Sequence, residues 1–124
     1  MISTDIDTVM VVHRAAGPTT LSEVSQAMRN WYQNSDFDPE IPVLWDMRGA
    51  GFEMPTEDLE AWARQNVAET NAHRSGCKTA WVLADTRATE FLVDLLSAHD
   101  WQHRVRVFHD DIEAARAWLR STIR

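Results

Sequence analysis

A single cysteine, Cys77, stands in 124 residues, so no disulfide can close within the chain and nothing ties it to an oxidising compartment. Glycine and proline number four each, too few for a linker, a collagen-like repeat or a disordered tail. Lysine occurs once, at Lys78; the other basic residues are all arginine. Against these 12 stand 19 Asp and Glu, for a net charge of −7. Nucleic-acid binding needs a positive footprint to displace counterions, and the densest basic stretch, Arg104-Val105-Arg106, reads as one edge of a strand. The same deficit disfavours an anionic membrane surface. No apolar run approaches the roughly 18 residues of a membrane span. The opening Met1-Ile2-Ser3-Thr4-Asp5 lacks the basic and apolar regions of a signal peptide, and the expectation is a cytoplasmic protein.

What is present suits one globular domain over 1–124: 44% apolar and 25% charged residues, enough to fill a core without staples. Apolar periods of two and of 3.6 alternate along the chain, the pattern of an α/β layer fold. Strands are expected at Ile2–Asp5, Thr8–Arg14, Pro42–Met47, Thr79–Ala84 and Arg104–Phe108, the last near an edge because its polarity alternates. Gly17-Pro18 should break the chain after the second of these. Thr20-Leu21-Ser22-Glu23 matches a capping box and opens a helix to about Gln33. Further helices are expected from Pro55-Thr56-Glu57-Asp58 to Ser75-Gly76, from Asp85 or Thr86 through the Phe91, Leu92, Leu95, Leu96 stripe, and from Asp110-Asp111 through Ile123. Strands joined through helices must be parallel, and the first hairpin adds an antiparallel edge. The expected fold is a mixed, mostly parallel sheet of four or five strands with four flanking helices.

Three segments carry a resemblance: Val43-Leu44-Trp45-Asp46-Met47-Arg48-Gly49-Ala50, Gly76-Cys77-Lys78-Thr79-Ala80-Trp81-Val82-Leu83, and Arg106 through Leu119 with its V-x-x-F-x-D-x-x-E-A-x-x-W-L-like close. In order and spacing they cover nearly the whole chain and resemble the SpoIIAA-like, or STAS-like, family of small bacterial proteins. The resemblance implies the same mixed sheet and no established catalytic reaction. Its anti-sigma-factor-antagonist members carry a phosphorylatable serine in an Asp-Ser-Ser-Gly-like turn. Here the matching turn reads Gly51-Phe52-Glu53-Met54-Pro55-Thr56-Glu57-Asp58, without serine. Thr56 is the only hydroxyl, the acids that follow oppose a phosphate, and Thr56 reads as a helix N-cap instead of a phosphosite.

Open α/β sheets bind ligands at the carboxyl ends of their strands. That edge should gather Asp46, Arg48, Asp85, Thr86, Arg87, His109 and Asp110. A histidine with carboxylates suits acid–base chemistry, so an enzyme using Asp46, Asp85 and His109 is one reading. The plainer one makes Asp85 and Asp110 helix caps and Asp46–Arg48 an ion pair bracing a turn at Gly49. No paired-His spacing points to a metal, and Gly49-Ala50-Gly51 has neither a dinucleotide register nor a Walker lysine, so no metal or cofactor is expected. Cys77 beside Lys78 reads as an inert cysteine, and no serine lies in a nucleophile elbow.

Six tryptophans are many for this length. Trp45, Trp81, Trp62 and Trp118 are expected in the core; Trp31-Tyr32 and Trp101, at element ends, are expected to be half exposed. Phe52 and Met54 in the 49–56 segment suggest a lid hinged at Gly49 and Gly51 over the sheet edge. The function expected is therefore a non-enzymatic binding or regulatory module, monomer or homodimer, taking a protein partner or a small apolar ligand through Asp46, Arg48, Phe52, Met54, Asp85 and His109. Alternatives are an apolar, lipid-like ligand or a membrane surface met through the 49–56 loop, and the enzyme above.

Overall fold

The structure, a computed structural model, describes residues 1–7, 9–51, 56–73, 78–97 and 104–121. The chain runs β1 (Ile2–Ile6), β2 (Val11–Pro18), α1 (Leu21–Tyr32), β3 (Val43–Gly51), α2 (Thr56–His73), β4 (Lys78–Leu83), α3 (Thr86–Ser97), β5 (Arg104–His109) and α4 (Ile112–Arg120). The five strands lie side by side in chain order. β1 pairs antiparallel with β2, and the remaining pairs are parallel. The expected mixed sheet flanked by four helices is thus what forms, with β5 at an edge.

Chain-order strands joined by crossovers of one hand must place every connecting helix on the same face. The packing agrees. Val24, Ala27, Met28 and Trp31 of α1, Trp62 of α2 and Leu92 of α3 meet Val11, Ala15, Val43, Trp45, Met47, Trp81 and Leu83. α4, which follows the last strand and is not a crossover, folds back over the opposite face. There Ala115 and Leu119 meet Met10, Leu44, Ala80 and Val82, with Val12, Phe108 and Trp118 at the margin. β3 and β4 bury both faces, which explains their unbroken apolar runs.

Several boundaries move. β2 starts at Val11, later than expected, and runs on through Gly17 and Pro18, which pair with Ala50 and Gly51. Pro18 ends the strand, where its missing N–H costs little. β3 likewise continues through Gly49-Ala50-Gly51, and Thr19 N–H donates to the Gly51 carbonyl at 2.9 Å. The expected hinge at these glycines is therefore part of the ladder. Gly49 has a packing reason instead: a Cβ there would lie 2.9 Å from the Ala15 carbonyl oxygen. The register shifts at this point, with Arg14 opposite Asp46 but Ala16 opposite Gly49. Met47 and Arg48 thus oppose Ala15 alone, a bulge on β3.

Half of the expected capping box is present. The Thr20 hydroxyl accepts from Glu23 N–H at 3.1 Å, whereas the Glu23 carboxylate lies 3.2 Å from the Met1 ammonium. At α4 the cap is Asp111, accepting from Ala114 N–H at 3.0 Å, and not Asp110. α2 already includes Thr56 as its first residue, so Thr56 stands inside the helix and not before it. Trp31, expected to be half exposed, is 2% exposed, because it continues the Val24, Met28 stripe of α1 into the core, with Phe37 edge-on at 5.2 Å between ring centres. Ser75-Gly76, Cys77, Trp101 and Ile123 lie outside the described residues.

Candidate functional site

Strand alternation sorts the polar residues of the carboxyl edge onto two faces before any chemistry begins. Asp46 follows the buried run Val43-Leu44-Trp45 and pairs with Arg14 on one side and Val82 on the other. It therefore shares the α4 face with Leu44 and Val82. His109 pairs with Leu83, on the three-helix face, and its Nδ1 sits 3.3 Å from the Thr89 hydroxyl of α3. That hydroxyl donates to the Asp85 carbonyl at 2.8 Å. Asp46 and His109, expected to converge, face opposite sides of the sheet.

On the α4 face a cleft of about 600 Å³ opens at the carboxyl ends of β2 to β5. It is lined by Arg14, Ala16, Asp46, Arg48, Ala84 and Asp110, with Ser3, Gly49 and Met1 among its other neighbours. Its margin at Ala84 and Asp110 has a topological cause. The chain leaves β4 toward the three-helix face and β5 toward the other, so the two loops diverge, which is where open sheets form a crevice. Ala84 and Asp110 are the first residues past those two strands. Asp110 is held there in the left-handed region, with φ 50°, while its N–H donates to the Leu83 carbonyl at 2.7 Å. Asp tolerates that conformation better than most side chains.

Charges alternate across the cleft. Arg48 forks onto Asp46 through Nε at 2.8 Å to Oδ1 and Nη2 at 2.9 Å to Oδ2, and its backbone N–H lies 3.4 Å from Oδ1. The expected ion pair is present, bracing the bulge that precedes Gly49 where a turn was expected. These bonds hold the Asp46 carboxyl below the usual carboxylate range; burial opposes the shift, and the charge of Arg14 adds to it. The same bond pushes the Arg48 guanidinium up, helped more weakly by the charges of Asp46 and Asp110. Arg14 in turn pairs with Asp5 of β1. Asp5, Arg14, Asp46, Arg48 and Asp110 form an alternating series.

Of the residues singled out from sequence, Asp46, Arg48 and Asp110 meet in the cleft, and Asp85, Thr86, Arg87 and His109 do not line it. Phe52 and Met54 lie outside the described residues. Arg14 was missed, because its place beside Asp46 depends on strand register, which sequence spacing does not supply. His13 was missed as well. It is 1% exposed on the three-helix face, bonded to the Thr4 hydroxyl at 2.7 Å and stacked on Trp45 at 4.1 Å. Trp45 stacks on Trp81 at 4.7 Å, so His13, Trp45 and Trp81 form a cross-strand ladder in register. The alternation Val11, His13, Ala15 was the available signal.

Among the described residues, no group of three or more His, Cys, Asp or Glu is placed to hold a metal ion. No helix among them is long and apolar enough to cross a membrane. No protein-family model matches this sequence, and comparison with curated proteins returns no match.

Proposed function

We propose that the protein is a binding or regulatory module of the SpoIIAA-like, or STAS-like, kind that recognises a small polar ligand or a charged segment of a partner protein at the carboxyl-edge cleft, without a chemical step. One observation carries this reading: the cleft offers an alternating set of fixed charges, Arg14, Asp46, Arg48 and Asp110, while His109, the one histidine at that edge among the described residues, faces the other side of the sheet. Charges of both signs held at fixed positions suit recognition, and general acid–base work calls for a titrating group aimed at the substrate. The charged lining supports a polar ligand over a lipid-like one. The lone cysteine supports a reducing, cytoplasmic setting.

The test is a native mass spectrum of protein purified from its own host, beside the variant Ala16→Trp, which fills the cleft from an exposed strand position. The expected result is a non-covalent adduct, small molecule or chain, that the variant lacks. An adduct retained by Ala16→Trp, or a bound molecule chemically converted on incubation, refutes the proposal.

A further inference from the structure

The recognition groups of the cleft are only partly used. The fork to Asp46 engages Nε and Nη2 of Arg48, and Arg14 reaches Asp5 through Nη1. Nη1 of Arg48 and Nε and Nη2 of Arg14 therefore carry N–H donors without a partner among the described residues. A guanidinium bound along one edge by a carboxylate still presents its other edge to a second oxyanion. Across the cleft the reverse holds. The Asp110 carboxylate lines it without a hydrogen bond or ion pair among the described residues, though Arg48 feels its charge. The backbone of Asp110 is held in a left-handed conformation that few non-glycine residues adopt, and such outliers concentrate where ligands are met. Between the two lie Ala16, Gly49 and Ala84, whose small side chains leave room for a ligand to approach the strand ends.

A lone anion would meet the carboxylates of Asp46 and Asp110, and a lone cation the two guanidinium groups. A molecule with both charges satisfies each. We propose that the cleft binds a small zwitterion of the α-amino-acid or dipeptide class, its carboxylate on the outer N–H groups of Arg48 and Arg14 and its ammonium against Asp110. The proposal deepens the reading of the chain as a binding module and rests on it.

The experiment titrates the full, isotope-labelled chain with each common amino acid, with dialanine, with the matching deaminated acids and decarboxylated amines, and with inorganic phosphate. Backbone amide shifts supply the readout. At least one zwitterion is expected to bind with a dissociation constant of about 1 mM, moving the amides of Arg14, Gly49, Ala84 and Asp110. Removing either of its charges should weaken binding at least about tenfold. In Asp110→Asn, which keeps a residue type at home in the left-handed region, the zwitterion should bind no better than its deaminated acid. Binding of the deaminated acid as tight as that of the zwitterion, shifts with phosphate alone, or no binding by any probe at about 30 mM overturns the proposal. In each of those cases an adduct displaced by Ala16→Trp leaves the broader module reading standing, so the two failures are told apart.

Discussion

Replacing Asp46 by Asn isolates the fork from everything around it, because the carboxamide keeps the shape and loses the charge. In the native chain both carboxylate oxygens accept from the Arg48 guanidinium, at 2.8 and 2.9 Å. The Asp46 side chain is 13% exposed and that of Arg48 38%. A charge-assisted hydrogen bond is worth about 1.5–3 kcal/mol when buried. Fully exposed ion pairs yield only ~0.2–1 kcal/mol. Arg48 is more than a third exposed, so water screens the fork, and the amide oxygen of the variant still accepts one bond. The expected loss is therefore about 1 kcal/mol at neutral pH, or about 3–5 °C in Tm for a domain of this size.

Urea unfolding at several pH values reads it, with an unchanged slope confirming that the native state is intact. The sign of the pH dependence follows from Arg48. It depresses the folded-state pKa of Asp46, so the stabilisation is complete above the unfolded-state value of about 3.9 and disappears as pH falls through the folded-state value. The parent and Asp46→Asn curves should thus converge in acid. Equal stability at neutral pH, or a gap that stays constant down to full carboxylate protonation, refutes the reasoning.

Gly49→Ala should cost about 1–3 kcal/mol in thermal unfolding, since its Cβ meets a backbone oxygen at 2.9 Å, whereas Gly51→Ala, with nothing within 4 Å, should stay within about 0.5 kcal/mol. Thr20→Ala removes an N-cap bond to Glu23 and should lose ~0.5–2 kcal/mol by urea unfolding, with Thr20→Ser restoring most of it. Trp45→Ala takes the middle ring from the His13–Trp45–Trp81 ladder and should cost about 3–5 kcal/mol, with near-ultraviolet circular dichroism losing the signal of the stacked indole pair. Amide exchange at Ala50 and Gly51 should be as slow as at the outer residues of β4, because both belong to the ladder; rapid exchange there would restore the hinge.

Most of the fold was legible because periodicity and cap chemistry are local. Thr20 and Glu23 mark the start of α1 within one turn of chain, and Val43 to Trp45 and Ala80 to Leu83 are apolar on both faces because helices cover both. The misreadings share a cause. Gly17-Pro18 and Gly49-Ala50-Gly51 look like breaks one at a time, but they face each other across β2 and β3 and complete one ladder. A glycine that permits close approach of a neighbouring strand carries the same letter as a glycine that permits a bend. Trp31 shows the converse: its place at the end of α1 suggests exposure, but its helical spacing from Val24 and Met28 puts it on the face that packs on the sheet.

The candidate site was half legible for a related reason. Asp46 and Arg48 are two residues apart, on one face of one strand, so their fork follows from local spacing. Arg14 joins them through the β2–β3 register, and Asp110 through the opposite exits of β4 and β5. His109 fails to join for the converse reason. Leu83 and His109 are paired, and Leu83 packs beneath the three helices. The residue that extends β5 by one step to Asp110 crosses to the cleft side. One residue of strand parity thus separates the expected acid–base set from the charged lining of the cleft. A group of titratable residues at the end of a sheet can act together only when register and parity bring their side chains to the same face, and here they do so for Arg14, Asp46, Arg48 and Asp110.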